Sequence, residues 1–386
     1  MRVALIGGGT GGHIYPALAI EQALRGECAA RNEPYSALFL GTRRGLERTL
    51  VEPAGIPLRF VPARPLRRRL SLDVLATIAV DAAGIAVAAW ILARFRPDIV
   101  IATGGYVTFP AIVAARMLRT VRCIRAPLVL LEENARPGLV NRLLVPLVDE
   151  VWGAFPASAS ALGKRFVMTG VPVRRHIVER PSKARARANL GIDPQAFVVV
   201  VMGGSQGARS INLATSALVT RRTLPANWWI VHVSGERDYG AAHAALREKP
   251  AENRVTLLPY LDDPGPAYAA ADLVVARAGA STLAELAATG TPSLLIPYPH
   301  ASEDHQAANA RVFEDAGAAA VLADASLDGD ALWWKLQDLA AKTETRAAMA
   351  AAAAALAPTE PAATIARRVT ALTGGAGRRG GEERRS

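Results

Sequence analysis

The segment Met1-Arg2-Val3-Ala4-Leu5-Ile6 runs directly into Gly7-Gly8-Gly9-Thr10-Gly11-Gly12-His13, and a long Ala-rich segment follows. An apolar run, a glycine cluster and a helix in this order are typical of a Rossmann-like βαβ unit. The glycines let the backbone approach a ligand closely, and the start of the following helix favours anions. The same order begins again at Phe197–Met202 and Gly203-Gly204-Ser205-Gln206-Gly207-Ala208-Arg209. The sequence therefore predicts an α/β protein with two Rossmann-like parallel-sheet domains in tandem.

Further apolar runs between Ala-rich segments predict the remaining strands. They are Ser36–Leu40, Ile99–Ala102, Leu128–Leu131, Trp229–Val233, Val255–Leu258, Leu273–Val275 and Ser293–Ile296. A basic, polar segment after Gly170-Val171-Pro172-Val173-Arg174-Arg175 marks the domain boundary, so we place the domains at 1–175 and 176–360. A closing helix over 361–372 and a disordered tail over 373–386, rich in Gly, Arg and Glu, are predicted to follow.

The charge of the chain is concentrated in its first half. The 386 residues include 45 Lys and Arg against 34 Asp and Glu, and residues 1–175 hold 23 of the basic and 12 of the acidic ones. This asymmetry predicts an anionic partner for the first domain alone. Aromatic residues make up 5%, which argues against a base-stacking platform for nucleic acid. Two cysteines give no disulfide framework, and the apolar run before Gly7 is too short for a signal peptide, so a cytosolic compartment is expected.

The apolar segment Val74–Leu92 is long enough to span a bilayer, and Asp81 is its one charged residue. A charge near the centre of a span costs about 2.5–3.5 kcal/mol. Arginines flank the segment on both sides, at Arg67, Arg68 and Arg69 and at Arg94 and Arg96, and so give no inside–outside bias. A buried or interfacial helix is favoured over a membrane span.

The first glycine cluster allows more than one interpretation. Gly7, Gly9 and Gly12 fit the dinucleotide spacing, but no acid stands at the end of the second strand to hold a ribose. Arg43 or Arg44 there could serve a 2′-phosphate, so an NADP-linked oxidoreductase and a purely structural turn both stay open. His13 lies at the start of the following helix, which favours a neutral imidazole and makes it a candidate general base.

Other motifs also have a functional and a structural interpretation. Around Arg277–Glu285, Ser281 or Thr282 could cap a helix with Glu285 in its first turn, or the segment could hold a phosphate and a ribose. The cluster from His300 to Gln306 could suggest a metal, but no second ligand set has recognisable spacing. Asp328-Gly329-Asp330 matches a D-x-D motif yet precedes a helix without a strand before it, which favours helix capping. We therefore predict no metal and no cofactor.

Taken in order, the motifs resemble the MurG family of peptidoglycan glycosyltransferases over residues 1–372. The motifs that carry the resemblance are Gly8–His13 with Tyr15-Pro16, Gly104-Gly105-Tyr106-Val107, Glu132-Glu133-Asn134 with Pro137-Gly138 and Asn141-Arg142, Pro172-Val173-Arg174, Gly203–Arg209, Gly279–Glu285, and His305-Gln306 with Asn309-Ala310. Leu131, Glu133, Val171 and Ala278 stand where His, Gln, Asn and Ser are common in the family.

The resemblance implies a GT-B fold, with the active site in a cleft between two Rossmann-like domains. It implies UDP-N-acetylglucosamine (UDP-GlcNAc) as the donor, held mainly by the second domain, with Glu285 on the ribose hydroxyls. The implied donor-binding positions are Thr10, Gly11, Gly12, Asn134, Arg174, Ser205, Leu261, Ala280, Ser281, Thr282, Leu283, Ala284, Glu285 and Gln306.

The implied reaction is the inverting transfer of GlcNAc to the 4-hydroxyl of N-acetylmuramoyl-pentapeptide on lipid I, giving lipid II for peptidoglycan synthesis. The implied location is peripheral, at the cytoplasmic face of the cell membrane. There the basic residues Arg67, Arg68 and Arg69 would face anionic lipid and acceptor, with cell-wall synthesis proteins as further partners. Another GT-B enzyme on UDP-GlcNAc, such as a 2-epimerase or a different lipid glycosyltransferase, is the nearest alternative.

Overall fold

The computed structural model describes residues 1–65, 72–204 and 207–382. The chain divides into two compact domains. The first domain contains residues 1–174 together with the segment from Thr359 onward, and the second contains Arg175–Pro358. The chain thus leaves the first domain after Arg174 and returns to it at Thr359.

The first domain is a seven-stranded parallel sheet in the order β3-β2-β1-β4-β5-β6-β7 with helices on both faces. Its elements are β1 Arg2–Gly7, α1 Gly11–Ala30, β2 Ser36–Gly41, α2 Glu47–Val51, β3 Leu58–Phe60, α3 Leu72–Phe95, β4 Ile99–Gly104, α4 Thr108–Thr120, β5 Leu128–Glu132, α5 Leu139–Leu144, β6 Glu150–Gly153, α6 Ala159–Leu162 and β7 Phe166–Met168.

Alternating residues of β1 enter two separate cores. Val3 and Leu5 pack with side chains of α1, whereas Ala4 and Ile6 pack with side chains of α3 and α4. Both faces of the central strands are therefore covered, as an uninterrupted apolar run in a parallel sheet requires. The carboxyl ends of β1, β4 and β5 come side by side at one edge of the sheet.

The second domain is a six-stranded parallel sheet in the order β10-β9-β8-β11-β12-β13. Its elements are α7 Arg175–Val178, α8 Lys183–Asn189, β8 Phe197–Met202, α9 Arg209–Arg221, β9 Trp228–Val233, α10 Glu236–Leu246, β10 Arg254–Leu258, α11 Gly265–Ala270, β11 Leu273–Ala276, α12 Ala280–Ala288, β12 Ser293–Leu295, α13 His305–Asp315, β13 Ala319–Val321, α14 Gly329–Ala341 and α15 Thr343–Leu356. The prediction of two Rossmann-like parallel-sheet domains is confirmed, and every predicted strand is present.

Within the described part of the chain, α3 is the one helix long and apolar enough to cross a membrane, over Ala76–Phe95. One side of it belongs to the core of the first domain, and its Asp81 is buried. Oδ1 of Asp81 accepts a hydrogen bond from the amide of Arg64 at 3.1 Å, and burial raises the pKa of this carboxyl. The opposite side carries Trp90, which is 67% exposed. The structure thus shows a helix packed on one side, while Arg67, Arg68 and Arg69 lie outside the described residues.

The last helix, α16 Pro361–Glu382, packs against the first domain rather than the second. Ile365 and Val369 are buried among side chains of α1 and β1, and Arg368 binds the carboxylate of Glu150. The helix continues ten residues beyond Leu372, where the sequence predicts a disordered tail. Leu372 packs against the core, and the helical backbone continues beyond it.

Candidate active site

The first glycine loop, residues 7–12 from the end of β1 to the start of α1, is built around a buried carboxylate of the protein itself. The side chain of Glu47 is 0% exposed. Its Oε1 accepts a hydrogen bond from the amide of Gly9 at 3.1 Å, and from the amide and hydroxyl of Thr42, each at 2.7 Å. Glu47 thereby ties the loop to the end of β2.

Three glycines leave the space that this carboxylate fills. A Cβ on Gly8 would lie 2.4 Å from Oε1 of Glu47, one on Gly41 2.6 Å from its Cγ, and one on Gly45 2.1 Å from its Oε2. Glu47 was not predicted as a site residue from the sequence, although Gly41 and Gly45, which lie shortly before it, are a usable signal. Because the amide of Gly9 already donates to an internal anion, a dinucleotide pyrophosphate would find fewer donors here. The NADP-linked interpretation loses support.

His13, the candidate base, lies in the first turn of α1 and is fixed by the end of β4. A Cβ on Gly104 would lie 2.4 Å from Nδ1 of His13, and the φ of Gly104 is +123°, a conformation that favours glycine. The hydroxyl of Thr103 donates to the carbonyl of His13 at 2.6 Å and to that of Ile6 at 3.3 Å. Thr103 therefore holds the backbone of His13, and the absence of a side chain at Gly104 leaves room for its ring.

Asn134 lies in the loop after β5, which is organised by the buried side chain of Glu132. Oε1 of Glu132 accepts from the backbone amide of Asn134 at 3.0 Å and from its side-chain amide at 3.1 Å. Oε2 accepts from the amide of Gly138 at 3.0 Å and from the side chain of Asn141 at 2.9 Å. The side-chain nitrogen of Asn134 is thus directed to Glu132, and its Oδ1 is the end directed elsewhere.

The other predicted positions of the first domain meet at the start of α1. Thr10 is the N-cap residue of this helix, and Gly11 and Gly12 are its first two residues. The guanidinium of Arg174 lies over the ring of Tyr15, with 3.8 Å between its Cζ and the ring centroid. Arg174 and the first turns of α1 therefore lie together at the carboxyl edge of the sheet.

The residues that depart from the family pattern are all buried: Leu131, Glu133, Val171 and Ala278. An apolar side chain at a buried position needs no hydrogen-bond partner, so Leu131 and Val171 suit their surroundings. The carbonyl of Ala278 accepts a hydrogen bond from the side chain of Asn309 at 3.2 Å, which ties α13 to the segment before α12.

In the second domain the glycine loop after β8 packs on the end of β9. A Cβ on Gly207, whose φ is +71°, would lie 2.4 Å from the carbonyl oxygen of Ser234. The same oxygen accepts a hydrogen bond from Nδ2 of Asn212 at 2.7 Å, and Oδ1 of Asn212 lies 2.9 Å from Nε2 of His232. Burial lowers the pKa of His232 to about 4. A neutral core histidine thus supports this loop, while Ser205 lies outside the described residues.

The segment Ala280–Glu285 forms the first turns of α12, and of the two interpretations that the sequence left open, the structure does not support capping by Ser281 or Thr282. Gly279 is the N-cap residue, with φ −69° and ψ 140°, because the helix begins two residues before Thr282. Glu285 consequently lies in the second turn, where its Oε2 accepts a hydrogen bond from the hydroxyl of Tyr268 at 2.8 Å. The positions Ser281, Thr282, Leu283 and Ala284 follow in the same turns.

Leu261 and Gln306 also follow strands of the second sheet. Leu261 is half-buried in the loop after β10. Gln306 lies in the first turn of α13, and its Oε1 accepts a hydrogen bond from the amide of Tyr298 at 2.9 Å. This bond fixes which way the amide faces, so the NH₂ group is the end that can reach a ligand.

In each of the two motifs that could suggest a metal, a key side chain contacts the backbone of the protein. Nδ1 of His305 lies 2.6 Å from the carbonyl of Ser302. Asp328 is the N-cap of α14 and accepts from the amide of Ala331 at 2.7 Å, which confirms the capping interpretation. Among the residues that the structure describes, no three His, Cys, Asp or Glu side chains group as a metal site would require.

Comparison with known proteins places these features in one family. The model of the glycosyltransferase family 28 N-terminal domain matches residues 3–152, and that of the C-terminal domain matches residues 198–369. A protein of Moorella thermoacetica named UDP-N-acetylglucosamine–N-acetylmuramyl-(pentapeptide) pyrophosphoryl-undecaprenol N-acetylglucosamine transferase is 40% identical, over 92% of this chain and 95% of its own. A protein of Desulfitobacterium hafniense with the same name is 39% identical, over 92% and 95%.

The chain belongs to glycosyltransferase family 28. The crystal structure of Acinetobacter baumannii MurG superposes with a TM-score of 0.72 at 26% identity, covering 96% of this chain and 99% of that one. A putative UDP-N-acetylglucosamine 2-epimerase of Listeria monocytogenes, at 15% identity and a TM-score of 0.59, shares the fold alone, covering 91% of this chain and 90% of its own. The family 28 chain described here is thus a glycosyltransferase with the GT-B type of fold.

Proposed function

We propose that this glycosyltransferase moves GlcNAc from UDP-GlcNAc to the 4-hydroxyl of the N-acetylmuramoyl-pentapeptide of lipid I, giving lipid II and UDP. The observation that carries the proposal is the 40% identity to a transferase of that name over 92% of the chain. The positions at the carboxyl edges of both sheets support it, because they include a helix start suited to a diphosphate and an acid suited to ribose hydroxyls.

In the proposed reaction the acceptor oxygen attacks the anomeric carbon of GlcNAc, the bond from that carbon to the diphosphate breaks, and the linkage inverts from α to β. The proton of the attacking hydroxyl passes to a base, for which His13 is the candidate because it lies at the start of α1, with its backbone bound by Thr103 and its ring beside Gly104 at the end of β4. The leaving diphosphate gains negative charge, which the amides at a helix start such as that of α12 can stabilise.

Donor recognition is proposed for the predicted positions of both domains. Glu285 would accept hydrogen bonds from the ribose hydroxyls, oriented by the hydroxyl of Tyr268 at 2.8 Å. Gln306 would donate to the sugar through its NH₂ group, because Tyr298 holds its oxygen. Arg174, with its planar guanidinium, is suited to phosphate oxygens.

We further propose that the first domain binds the cytoplasmic face of the cell membrane as a peripheral protein. The exposed side of α3 includes Ile78 at 59% and Trp90 at 67% exposure. Between Arg43 and Arg69 the sequence has eight Arg and two Glu. Apolar side chains beside excess positive charge suit contact with anionic lipid and with a pyrophosphate-linked acceptor.

The test of the reaction supplies UDP-GlcNAc and lipid I in detergent and measures release of UDP together with formation of lipid II. We expect both products in equal amounts, and neither when lipid I is omitted. Conversion of UDP-GlcNAc to its 2-epimer without an acceptor would favour the epimerase alternative. Absence of UDP release with a competent acceptor would refute the proposed function.

A further inference from the structure

Arg277 is a buried cation at the carboxyl edge of the second sheet, and the proposed reaction does not use it. It directly follows β11, and its side chain is 9% exposed. Its carboxylate partner is Asp324, which follows β13, with 2.5 Å between Nη1 of Arg277 and Oδ1 of Asp324. The hydroxyl of Ser210, in the first turn of α9, accepts from Nη2 of Arg277 at 2.8 Å and donates to Oδ1 of Asp324 at 2.6 Å. The guanidinium is therefore fixed by groups from two other segments of the domain.

The same guanidinium binds the backbone after β12. Nη1 of Arg277 donates to the carbonyl of Ile296 at 3.0 Å and to that of Pro297 at 3.3 Å. The second carbonyl belongs to the peptide unit that joins Pro297 to Tyr298. In a planar trans peptide the C=O and the N–H point in opposite directions, so the hydrogen bond at the oxygen also sets the direction of the Tyr298 N–H.

That N–H is the group that orients Gln306. It donates to Oε1 of Gln306 at 2.9 Å, which directs the NH₂ group of the amide away from this backbone. Without the bond the amide could present either end, because the last torsion of a glutamine side chain is broad and roughly two-fold. Arg277 thus reaches Gln306 through one peptide unit and two hydrogen bonds.

A second buried pair in the same domain has the same construction without the link to a predicted site residue. Arg187 binds Asp272 at 2.7 Å and donates to the carbonyls of Ala270 and Pro194 at 3.1 and 2.6 Å. Its two side chains are 5% and 18% exposed, against 9% and 17% in the pair of Arg277. Asp272 directly precedes β11, so this pair lies at the opposite, amino edge of the sheet. The two pairs differ in their position on the sheet and not in their burial.

We propose that Arg277 is a positioning residue that orients Gln306 for the sugar of the nucleotide-sugar donor. This inference rests on the proposed function, in which Gln306 donates to that sugar. Arg277 acts through the peptide between Pro297 and Tyr298 and touches neither donor nor acceptor. Its loss should therefore weaken the binding of UDP-GlcNAc, which has the sugar, and leave the binding of UDP, which lacks it, nearly unchanged.

The experiment is calorimetric titration of UDP and of UDP-GlcNAc into the full-length protein and its variants. Arg277→Lys keeps the positive charge but loses the planar fork that reaches Asp324 and the carbonyls together. Arg187→Lys is the matched control, because it makes the same change in the pair at the opposite edge. Gln306→Leu and the combination of Arg277→Lys with Gln306→Leu complete a double-mutant cycle. The melting temperature of each variant shows whether it is folded.

We expect Arg277→Lys to raise the Kd for UDP-GlcNAc about 2- to 10-fold, the range of one neutral hydrogen bond. The same variant should change the Kd for UDP less than about twofold. In the Gln306→Leu background Arg277→Lys should add less than about twofold for UDP-GlcNAc, because its effect passes through the amide. Arg187→Lys should lower the melting temperature as Arg277→Lys does, while both affinities stay those of the parent.

If Arg277→Lys does not fold, Arg277→Met combined with Asp324→Leu removes both charges together, which a buried pair tolerates better than the loss of one partner. The same pattern of affinities is expected from it. Equal weakening of UDP and UDP-GlcNAc, parental affinity for UDP-GlcNAc in a folded variant, or additive effects of Arg277→Lys and Gln306→Leu would overturn the inference. The expected binding without sugar transfer to lipid I would instead count against the proposed function. A parent that binds neither nucleotide would refute both.

Discussion

The two domains share the order of a strand, a glycine turn and a helix start, but their glycine turns differ. In the first domain the amide of Gly9 donates to the buried carboxylate of Glu47, so the turn is closed on an anion of its own. In the second domain, the N-cap residues of α9 and α12 are Ala208 and Gly279, which provide no side-chain cap, and the described first turns of these helices hold no acid. The difference lies in the glycine turn, where Glu47 occupies the amide of Gly9. The helix starts of both domains, α1 included, have no side-chain cap and no acid in the first turn.

The largest expected effect is on the chemical step, for which the first domain provides the candidate base His13. His13→Ala should reduce turnover about 10²- to 10⁴-fold, the contribution of a general base. UDP-GlcNAc affinity should stay near that of the parent, because the donor is assigned mainly to the second domain. Lipid II formation and donor titration measure the two quantities. Turnover within a few-fold of the parent would remove His13 as the base.

Glu47→Ala tests whether the first loop is a scaffold. The substitution leaves the amides of Gly9 and Thr42 without their acceptor, and each buried unsatisfied donor costs about 1–3 kcal/mol. We expect a loss of several kcal/mol in the unfolding free energy of the first domain, measured by urea denaturation. Glu47→Gln, which keeps an acceptor oxygen, should lose less. Equal losses in both variants would contradict the assigned hydrogen bonds.

In the second domain, Glu285→Ala should weaken binding of both UDP and UDP-GlcNAc about 10- to 100-fold, since hydrogen bonds to a charged group contribute about 1.5–3 kcal/mol. Tyr268→Phe removes the hydroxyl that orients Glu285 and should have a smaller effect in the same direction. Isothermal titration with each nucleotide measures both. Unchanged UDP affinity in Glu285→Ala would argue against a ribose contact.

Mild acid should lower the stability of the second domain through one buried histidine, His232. The pKa of His232 is lowered to about 4 by burial, against about 6.5 in an unfolded chain. Below pH 6.5 the unfolded state therefore binds a proton that the folded state excludes, and stability falls as pH decreases toward 4. We expect the second domain to lose about 2 kcal/mol between pH 7 and pH 5 from this residue. Urea denaturation of His232→Gln should lack that component, and an identical pH dependence in the variant would exclude His232 as its source.

The smallest expected effect concerns the membrane. Trp90 on α3 and Trp334 on α14 are similarly exposed, at 67% and 63%, but lie in different domains. Trp90→Ala should reduce co-sedimentation with anionic phosphatidylglycerol vesicles roughly tenfold, the scale for removing one large apolar side chain from an interface. Trp334→Ala is the control and should bind as the parent does. Equal behaviour of the two variants would argue against α3 as the membrane contact.

The central strands could be predicted from the sequence because each is a continuous apolar run buried on both faces. The strands that were missed depend on neighbours instead. Leu58–Phe60, Phe166–Met168 and Ala319–Val321 are three-residue strands at sheet edges, defined by pairing rather than by composition. Strand β6 is short and begins with the charged residue Glu150, whose partner Arg368 lies 218 residues further along the chain. No local pattern indicates such a pair.

The candidate site also has parts that could be predicted from the sequence and parts that could not. Glycine spacing and motif order located the loops at the strand ends, where the structure has them. The side chains that position them were missed, because Glu47 and Thr103 act through contacts between distant segments. Capping by Ser281 or Thr282 was one of two interpretations that the sequence left open, because it offers several residues for a role that Gly279 takes.

The return of the chain to its first domain has a consequence for biosynthesis. Ile365, Ala366 and Val369 fill the core around α1, yet they leave the ribosome after the whole of Arg175–Pro358. The second domain is one continuous segment and can complete its fold while the first still lacks a core helix. The domain made first is thus finished last, and a chain cut after Pro358 would keep an intact second domain while leaving an apolar groove open on the first.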